Sequence, residues 1–276
     1  MRKVVGASAA MDVRDSAQLD AVLGQPVPSC RRIVVSSIRG GAGKSSVAAL
    51  VADVIRQHRG DRVLAVDADP GLGSLPLRLG VSSSRSLRDL ASARPRSWEE
   101  AAPYLMRTDE GLWVLSCNVG QEVGAELGYD VFQAGAGRVS RYFSTSVIDC
   151  GAGLVGGLQK DIIASAHAQV FVAPGTGDGA ASAMAALHWF VEQGFGPLLA
   201  RTVIVLTAHT PDPDTDLVRA GRMLAGGGLA VEIMPYDRHL AAGVTIAAER
   251  VGAASRTVAT RVAARVFAHS LSWGTS

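Results

Sequence analysis

Three short segments combine residue types that act on phosphates. The first, Ser37-Ile-Arg-Gly-Gly-Ala-Gly-Lys-Ser-Ser46, follows the apolar β-type run Arg32-Ile-Val-Val-Ser36. A strand that enters a glycine-rich loop and then opens a helix presents backbone N–H groups and a helix N-terminus to an anion. Gly40, Gly41, Ala42 and Gly43 would form such a cradle. Lys44 would place a positive charge at the β/γ oxygens, and Ser45, with Ser46 beside it, would offer a hydroxyl to Mg²⁺. The strict pattern G-x-x-x-x-G-K-[ST] is incomplete, because Ile38 stands five positions before Gly43. A glycine turn that merely caps a helix is the plainer alternative. Lysine usage argues against it, since only Lys3, Lys44 and Lys160 occur among 27 basic residues.

The second segment, Val63-Leu-Ala-Val-Asp-Ala-Asp-Pro-Gly-Leu-Gly73, brings Asp67 and Asp69 to the end of a strand-like run. Alternate residues of an extended chain point the same way, so both carboxylates can face one phosphate site. One would organise Mg²⁺ while the other orients an attacking water; an Asp-Pro-Gly turn with no further role is the alternative. In the third, Val147-Ile-Asp-Cys-Gly-Ala-Gly153, a strand again leads into a carboxylate and a flexible loop. Asp149 matches an acidic contact to Mg²⁺, with capping of the next helix as the alternative, and Gly151 and Gly153 suit a loop that responds to a γ-phosphate. Cys150 reads as a small buried residue rather than a nucleophile.

These residues need a scaffold that brings three strand ends together. The 276 residues, 48% hydrophobic and only 5% aromatic, suffice for one large α/β domain. Apolar runs at Ile33–Val35, Val63–Val66, Trp113–Leu115, Ser146–Ile148, Val170–Val172, Val203–Leu206 and Ala230–Ile233 alternate with helix-like stretches. The latter are Ser45–His58, Trp98–Leu105, Val131–Phe143, Asp178–Gln193, Asp214–Leu224 and Ser255–His269, with Gly60 and Gly194 placed as C-terminal caps. Continuously apolar strands between helices predict a doubly wound, mostly parallel sheet covered on both faces. Ligands of such sheets bind at the carboxyl ends of the strands, where all three motifs fall. Residues 1–30, with a short helical candidate at Ser16–Leu23, read as an extension, 31–270 as the phosphate-loop domain and 271–276 as a tail. Ser82–Ser86 reads as a mobile surface segment.

A net charge of +2 does not call for a nucleic-acid partner. Cys30, Cys117 and Cys150 show no C-x-x-C spacing, which suggests neither a disulfide framework nor a zinc site and suits a reducing cytoplasm. Met1–Val5 has the basic start of a signal peptide, but Gly6–Ala10 is too short an apolar stretch and Asp12 follows, so no export is expected.

Taken in order, the motifs resemble those of the MinD/ParA family of deviant Walker-A ATPases: K-G-G-x-G-K-[ST], then D-x-D-P, then D-x-x-A-G, across about residues 31–269. The stretch Ile233–Gly243, followed by a final helix rich in Ala, Val and Arg, is similar to that of actinobacterial members encoded with type VII secretion systems. The resemblance implies ATP and Mg²⁺ bound between two subunits of a face-to-face homodimer, slow hydrolysis of the β–γ bond and a partner protein that reads or activates the ATP state. It assigns Lys44, Asp67, Asp69 and Arg39 to catalysis, Asp69 being favoured as the water-orienting group, and Ser45, Asp67 and Asp149 to the metal. Arg39 stands where the family has a lysine that reaches the partner's phosphates; arginine keeps a permanent charge and can bind phosphate bidentately. Thr207 stands where the family has an asparagine that reads adenine, and a hydroxyl replaces a donor and acceptor pair. Pro235, Tyr236 and Asp237 match the segment lining the base, where Tyr236 either stacks on the ring or packs at the surface.

No Asp or Glu follows Glu249, whereas Arg250, Arg256, Arg261 and Arg265 do. Some relatives hold DNA nonspecifically with such patches, and MinD ends in a membrane-binding helix. Val258, Val262 and Val266, spaced by four beside Phe267, instead fit a helix packed on its own domain with solvated arginines. The expected activity is a cytoplasmic ATPase switch that controls positioning or assembly of a larger system. The alternatives are a nucleotide-binding interaction module with little turnover and an ATP-dependent DNA scaffold.

Overall fold

A computed structural model describes residues 17–71, 73–119, 126–211 and 215–274, with the backbone alone for 215 and 216. The expectations for Met1–Asp12 and for Ser16 lie outside the described residues. Eight strands form one sheet: β1 Arg31–Ser36, β2 Val63–Ala68, β3 Met106–Arg107, β4 Trp113–Leu115, β5 Thr145–Cys150, β6 Ala168–Pro174, β7 Thr202–Thr207 and β8 Ala230–Met234. Their order is β3-β4-β2-β5-β1-β6-β7-β8. All neighbours are parallel except β3, which runs antiparallel to β4. β1 therefore lies between β5 and β6, and the chain leaves it toward β2 on one side and returns to β6 on the other. That reversal opens a crevice at the carboxyl end of β1, where the glycine loop begins.

Successive strand residues serve opposite faces. Val34, Leu64, Val66, Ile148 and Phe171 pack on one face with Leu90, Phe132, Ile162 and Phe190 from the covering helices. Ile33, Val35, Ala65, Val147 and Val170 pack on the other with Val51 and Ile55 of the helix Lys44–Gln57. Val258, Val262 and Val266 of the helix Ala253–Leu271 join the second layer, so the apolar side of this final helix is spent on the core. Its arginines are less free than expected. Arg261 donates to Glu232 Oε2 at 2.9 and 3.1 Å, and Arg265 lies 3.5 Å from Oε1 of the same buried carboxylate.

The seven expected strands all form; the short antiparallel β3 is additional. Among the described residues the stretch 17–23 is helical, with Leu23 buried in the second layer and its carbonyl accepting from Arg59 Nη1 at 2.5 Å. The expected helices Trp98–Leu105 and Val131–Phe143 both form, with changes of helical type along them. Trp98–Ala101 is α-helical and passes into a 3₁₀ turn at Ala102–Tyr104, where Pro103 follows the helix. From Tyr129 to Tyr142 the chain stays helical, α-type at Tyr129–Phe132, π-type at Gln133–Gly137, α-type again at 138–139 and 3₁₀ at Ser140–Tyr142. Gly135 packs on the Leu87 carbonyl and side chain, an approach that leaves no room for a Cβ. Gly194 takes the left-handed conformation at φ 82°, whereas Gly60 does not, because the preceding helix already ends at His58. Ser86 belongs to a helix rather than a loose segment: it caps Leu87–Ala93 in a capping box with Asp89. No helix among the described residues is long and apolar enough to cross a membrane.

Candidate nucleotide-binding site

The loop after β1 folds over the start of the helix Lys44–Gln57. Gly41 and Gly43 adopt φ of 78° and 82°, conformations that glycine reaches without steric cost. Ser37 Oγ donates to the Arg39 carbonyl at 3.0 Å, and Gly153 N donates to the Ser37 carbonyl at 3.0 Å, tying the loop after β5 to this one. No side chain caps the helix, so its first N–H groups remain available to a ligand. They open on a cleft of about 590 Å³ lined by Arg39–Val47, Asp69, Ala152, Thr207 and Pro235–Asp237. A second cleft, of about 750 Å³, lies at the opposite end of the strands between Pro26–Cys30 and Trp273; none of the three motifs reaches it.

Beneath the cleft floor the charges are dense. Lys44 Nζ sits 2.5 Å from Oδ1 of Asp149, which is fully buried. Asp67 is the residue directly opposite Asp149 in the β2–β5 ladder and is buried as well. Burial works against the Lys44 charge, but Asp149 more than restores it and the group stays an ammonium. Burial likewise pushes both carboxyls upward; Lys44 and the Ser45 hydroxyl pull Asp149 back, while Asp67, facing the Asp149 charge, reaches about 7. Among the described residues two buried carboxylates thus share one cation, and Oδ2 of Asp149 has no hydrogen-bond partner. This excess of oxygen donors beside a hydroxyl fits a hard divalent cation. Among the described residues no three of His, Cys, Asp or Glu converge to hold a metal by themselves. A Mg²⁺ ion here would draw its remaining ligands from phosphate and water, its usual habit.

Asp69 is placed differently from Asp67. Its N–H donates to Asp67 Oδ1 at 3.0 Å, its own Oδ1 accepts from Gly71 N at 2.9 Å, and its carboxylate faces the cleft beside Gly151. Cys150 is buried and its thiol is pushed up to about 12 by that burial, which makes it a poor nucleophile.

At the far end of the cleft, the Thr207 hydroxyl turns inward and donates to the Ala42 carbonyl at 2.9 Å, bracing the glycine loop. Asp237 is committed to backbone: Oδ1 accepts from His239 N and Leu240 N, and Oδ2 from Gly252 N at 2.8 Å. Pro235 and Tyr236 line the cleft wall. Arg39 lies on the rim, where its guanidinium makes a forked pair with Asp178, the second arm at 3.1 Å, and both side chains are exposed.

The fold therefore brings Gly40–Ser46, Lys44, Asp67, Asp69, Asp149, Thr207 and Pro235–Asp237 to one end of the sheet, with Arg39 at its edge. Sequence reasoning missed Arg78 and His209, which also line the cleft, and Asp178. Asp178 opens the helix Gly177–Glu192 and carried a helix-start signal only; Arg78 and His209 carried none.

Comparison with known proteins agrees with this arrangement. The family described as CobQ/CobB/MinD/ParA nucleotide binding domain matches residues 33–245. The ESX-1 secretion-associated protein EspI of Mycobacterium tuberculosis is 32% identical over 220 residues, which cover 78% of this chain and 33% of EspI. The chain thus spans about a third of the length of that curated relative. The ParA family ATPase from Chlorobium tepidum superposes with a TM-score of 0.69 at 19% identity, over 84% of this chain and 98% of that one. Cobyrinic acid a,c-diamide synthase from Mycobacterium smegmatis, solved with a bound ATP analog and magnesium, gives a TM-score of 0.61 at 20% identity, over 85% and 92% of the two chains.

Proposed function

The chain belongs to the CobQ/CobB/MinD/ParA nucleotide-binding family, and from that membership we propose that it is an ATP-binding and ATP-hydrolysing switch. One observation carries the reading: the uncapped helix start opens on the cleft, and directly beneath it Lys44 pairs with the buried Asp149, with Asp67 alongside. An anion that replaces Asp149 as the partner of Lys44 frees a carboxylate for the cation that accompanies it.

Backbone N–H groups of Gly40–Ser46 would hold the β- and γ-phosphates, and Lys44 would follow the charge that spreads over the transferred phosphoryl group. Asp69, the carboxylate that faces the cleft, would orient the attacking water. Ser45, Asp67 and Asp149 would hold Mg²⁺, which when bound neutralises charge on the β- and γ-phosphate oxygens. Pro235 and Tyr236 would flank the base. Because Thr207 braces the loop, recognition of the base edge would fall to backbone groups and His209. Arg39 would act on the phosphates of a second copy in an ATP-dependent homodimer, once released from Asp178. The relative EspI, named for ESX-1 secretion, supports a role beside a secretion machine, where a partner protein would read the ATP-bound dimer.

A second reading is a nucleotide-binding module with little turnover. The pairing of Arg39 with Asp178 in its own chain favours it, since a cation held in cis is not poised to act in trans. Phosphate release and molar mass in Mg-ATP separate the two. Hydrolysis and a doubled mass, both lost in Lys44→Ala, support the switch; tight binding without turnover, with or without added partner, supports the module.

A further inference from the structure

Three cationic side chains border the cleft: Arg39, Lys44 and Arg78. The first two are already matched by carboxylates, Asp178 and Asp149. Arg78 is not; among the described residues no carboxylate forms an ion pair with it. Its guanidinium is half-buried, its Nε is shielded from water without an acceptor, and its one hydrogen bond is a long contact of 3.3 Å from Nη1 to the Val244 carbonyl. A buried N–H left without a partner costs about 1–3 kcal/mol, more for a charged group. Such a group is stabilised when an anion reaches it.

The backbone around Arg78 is well fixed. Ile246 N donates to the Arg78 carbonyl at 2.8 Å and Thr245 Oγ1 to the Leu77 carbonyl at 3.0 Å, fastening the short helix Leu75–Arg78 to the loop 243–246. Gly243, at φ 72°, lies where an added Cβ would come within 3.3 Å of Nη1, so the loop leaves space for the guanidinium.

Position along the cleft indicates which part of a nucleotide it would meet. Asp69 and Ala152 mark the end where the transferable phosphate belongs, and Pro235–Asp237 mark the base end. Arg78 Nη1 meets the Val244 carbonyl, a few residues beyond the base-flanking loop, and the charge of Asp149 beside Lys44 acts on its guanidinium, so Arg78 is tied to both ends of the cleft that it lines.

We infer that Arg78 is a nucleotide-binding residue that grips the non-transferred phosphates of a nucleoside di- or triphosphate. The inference rests on the nucleotide-site reading above. A forked guanidinium suits two phosphate oxygens better than an ammonium does. Contact with oxygens whose charge does not change in the reaction, those of the α-phosphate above all, stabilises ADP and ATP complexes alike, so Arg78 sets affinity and leaves the chemical step alone.

The test is calorimetric titration of wild type, Arg78→Gln and Arg78→Lys with Mg-ADP and Mg-ATP, together with kcat at saturating ATP. Arg78→Gln should raise both dissociation constants by about 10-fold or more, by the same factor, with kcat within about twofold of wild type. Arg78→Lys should fall between, and it carries the test by itself if the glutamine variant does not fold. The melting temperature of the ligand-free protein should not fall, since the side chain contributes one long hydrogen bond and its buried Nε has no acceptor. Unchanged affinities, a loss confined to ATP, or a fall in kcat at constant affinity would each overturn the assignment. If wild type binds ATP and Lys44→Ala does not, such a failure counts against Arg78 alone; if wild type binds no nucleotide, the function itself fails.

Discussion

Replacing Lys44 with methionine tests the charge arrangement without any ligand. The substitution keeps the stem of the side chain and removes the one cation that, among the described residues, pairs with Asp149, a carboxylate with no exposure to solvent. Stranding one partner of a buried pair typically costs about 3–5 kcal/mol. Protonation limits the loss. Holding the carboxyl neutral at pH 7, from an ordinary value of 3.8, costs about 1.4 kcal/mol per unit, or roughly 4 kcal/mol. Lys44→Met should therefore lower the unfolding free energy in urea by about 3–4 kcal/mol. Adding Asp149→Leu should restore most of it, because a neutral pair of similar volume has no charge to desolvate. Asp149→Asn alone should cost less than Lys44→Met, since Lys44 borders the open cleft and finds water there. A Lys44→Met protein within about 1 kcal/mol of wild type, or a double variant no better than the single, would refute the reasoning.

Gly43→Ala forces a Cβ into a left-handed conformation and to 3.4 Å from the Thr207 methyl group, so it should cost about 1–2 kcal/mol in urea unfolding and weaken nucleotide binding at the same time. Asp178→Ala breaks an exposed pair worth at most about 1 kcal/mol; the melting temperature should hold while the mass measured in Mg-ATP shifts further toward dimer. His167 is buried and neutral, with Nδ1 accepting from Arg32 N at 2.8 Å, and burial takes its imidazole down to about 3 from 6.5. The unfolded chain binds the extra proton between those values, so stability falls as pH drops below 6.5 and the loss is complete near 3. Between pH 7 and pH 5 wild type should lose about 2 kcal/mol relative to His167→Gln, read from paired urea titrations at each pH.

Much of the scaffold was legible because its cause is local. Seven strands announce themselves as mainly apolar, β-branched runs, and a sheet covered on both faces requires most of them to be apolar throughout. The glycine loop, Asp67, Asp69 and Asp149 follow those runs directly, so the order of the strands gathers them at one end of the sheet, in the candidate site. What escaped has causes at long range. Val131–Phe143 has helical spacing and is helical, but the π-type stretch where Gly135 packs on Leu87 is not encoded by that spacing. Ser86-Leu-Arg-Asp89 is a capping box with Asp in the place usually held by Glu or Gln, hidden at the end of a serine run. The commitments of Asp237 to Gly252 and of Arg39 to Asp178 join positions far apart in the chain, and no local pattern encodes them. Arg78 reaches the cleft only because its helix is fastened to the loop 243–246.

The central claim is that the cleft between the glycine loop and Pro235–Asp237 receives a magnesium-bound triphosphate. Calorimetric titration of the wild-type protein with ATP, in magnesium and again in excess chelator, tests it most directly. Saturable binding at one site per chain, weakened by removal of magnesium and abolished by Lys44→Ala, is the expected result. Absence of binding, or binding indifferent to both Lys44 and magnesium, would contradict it.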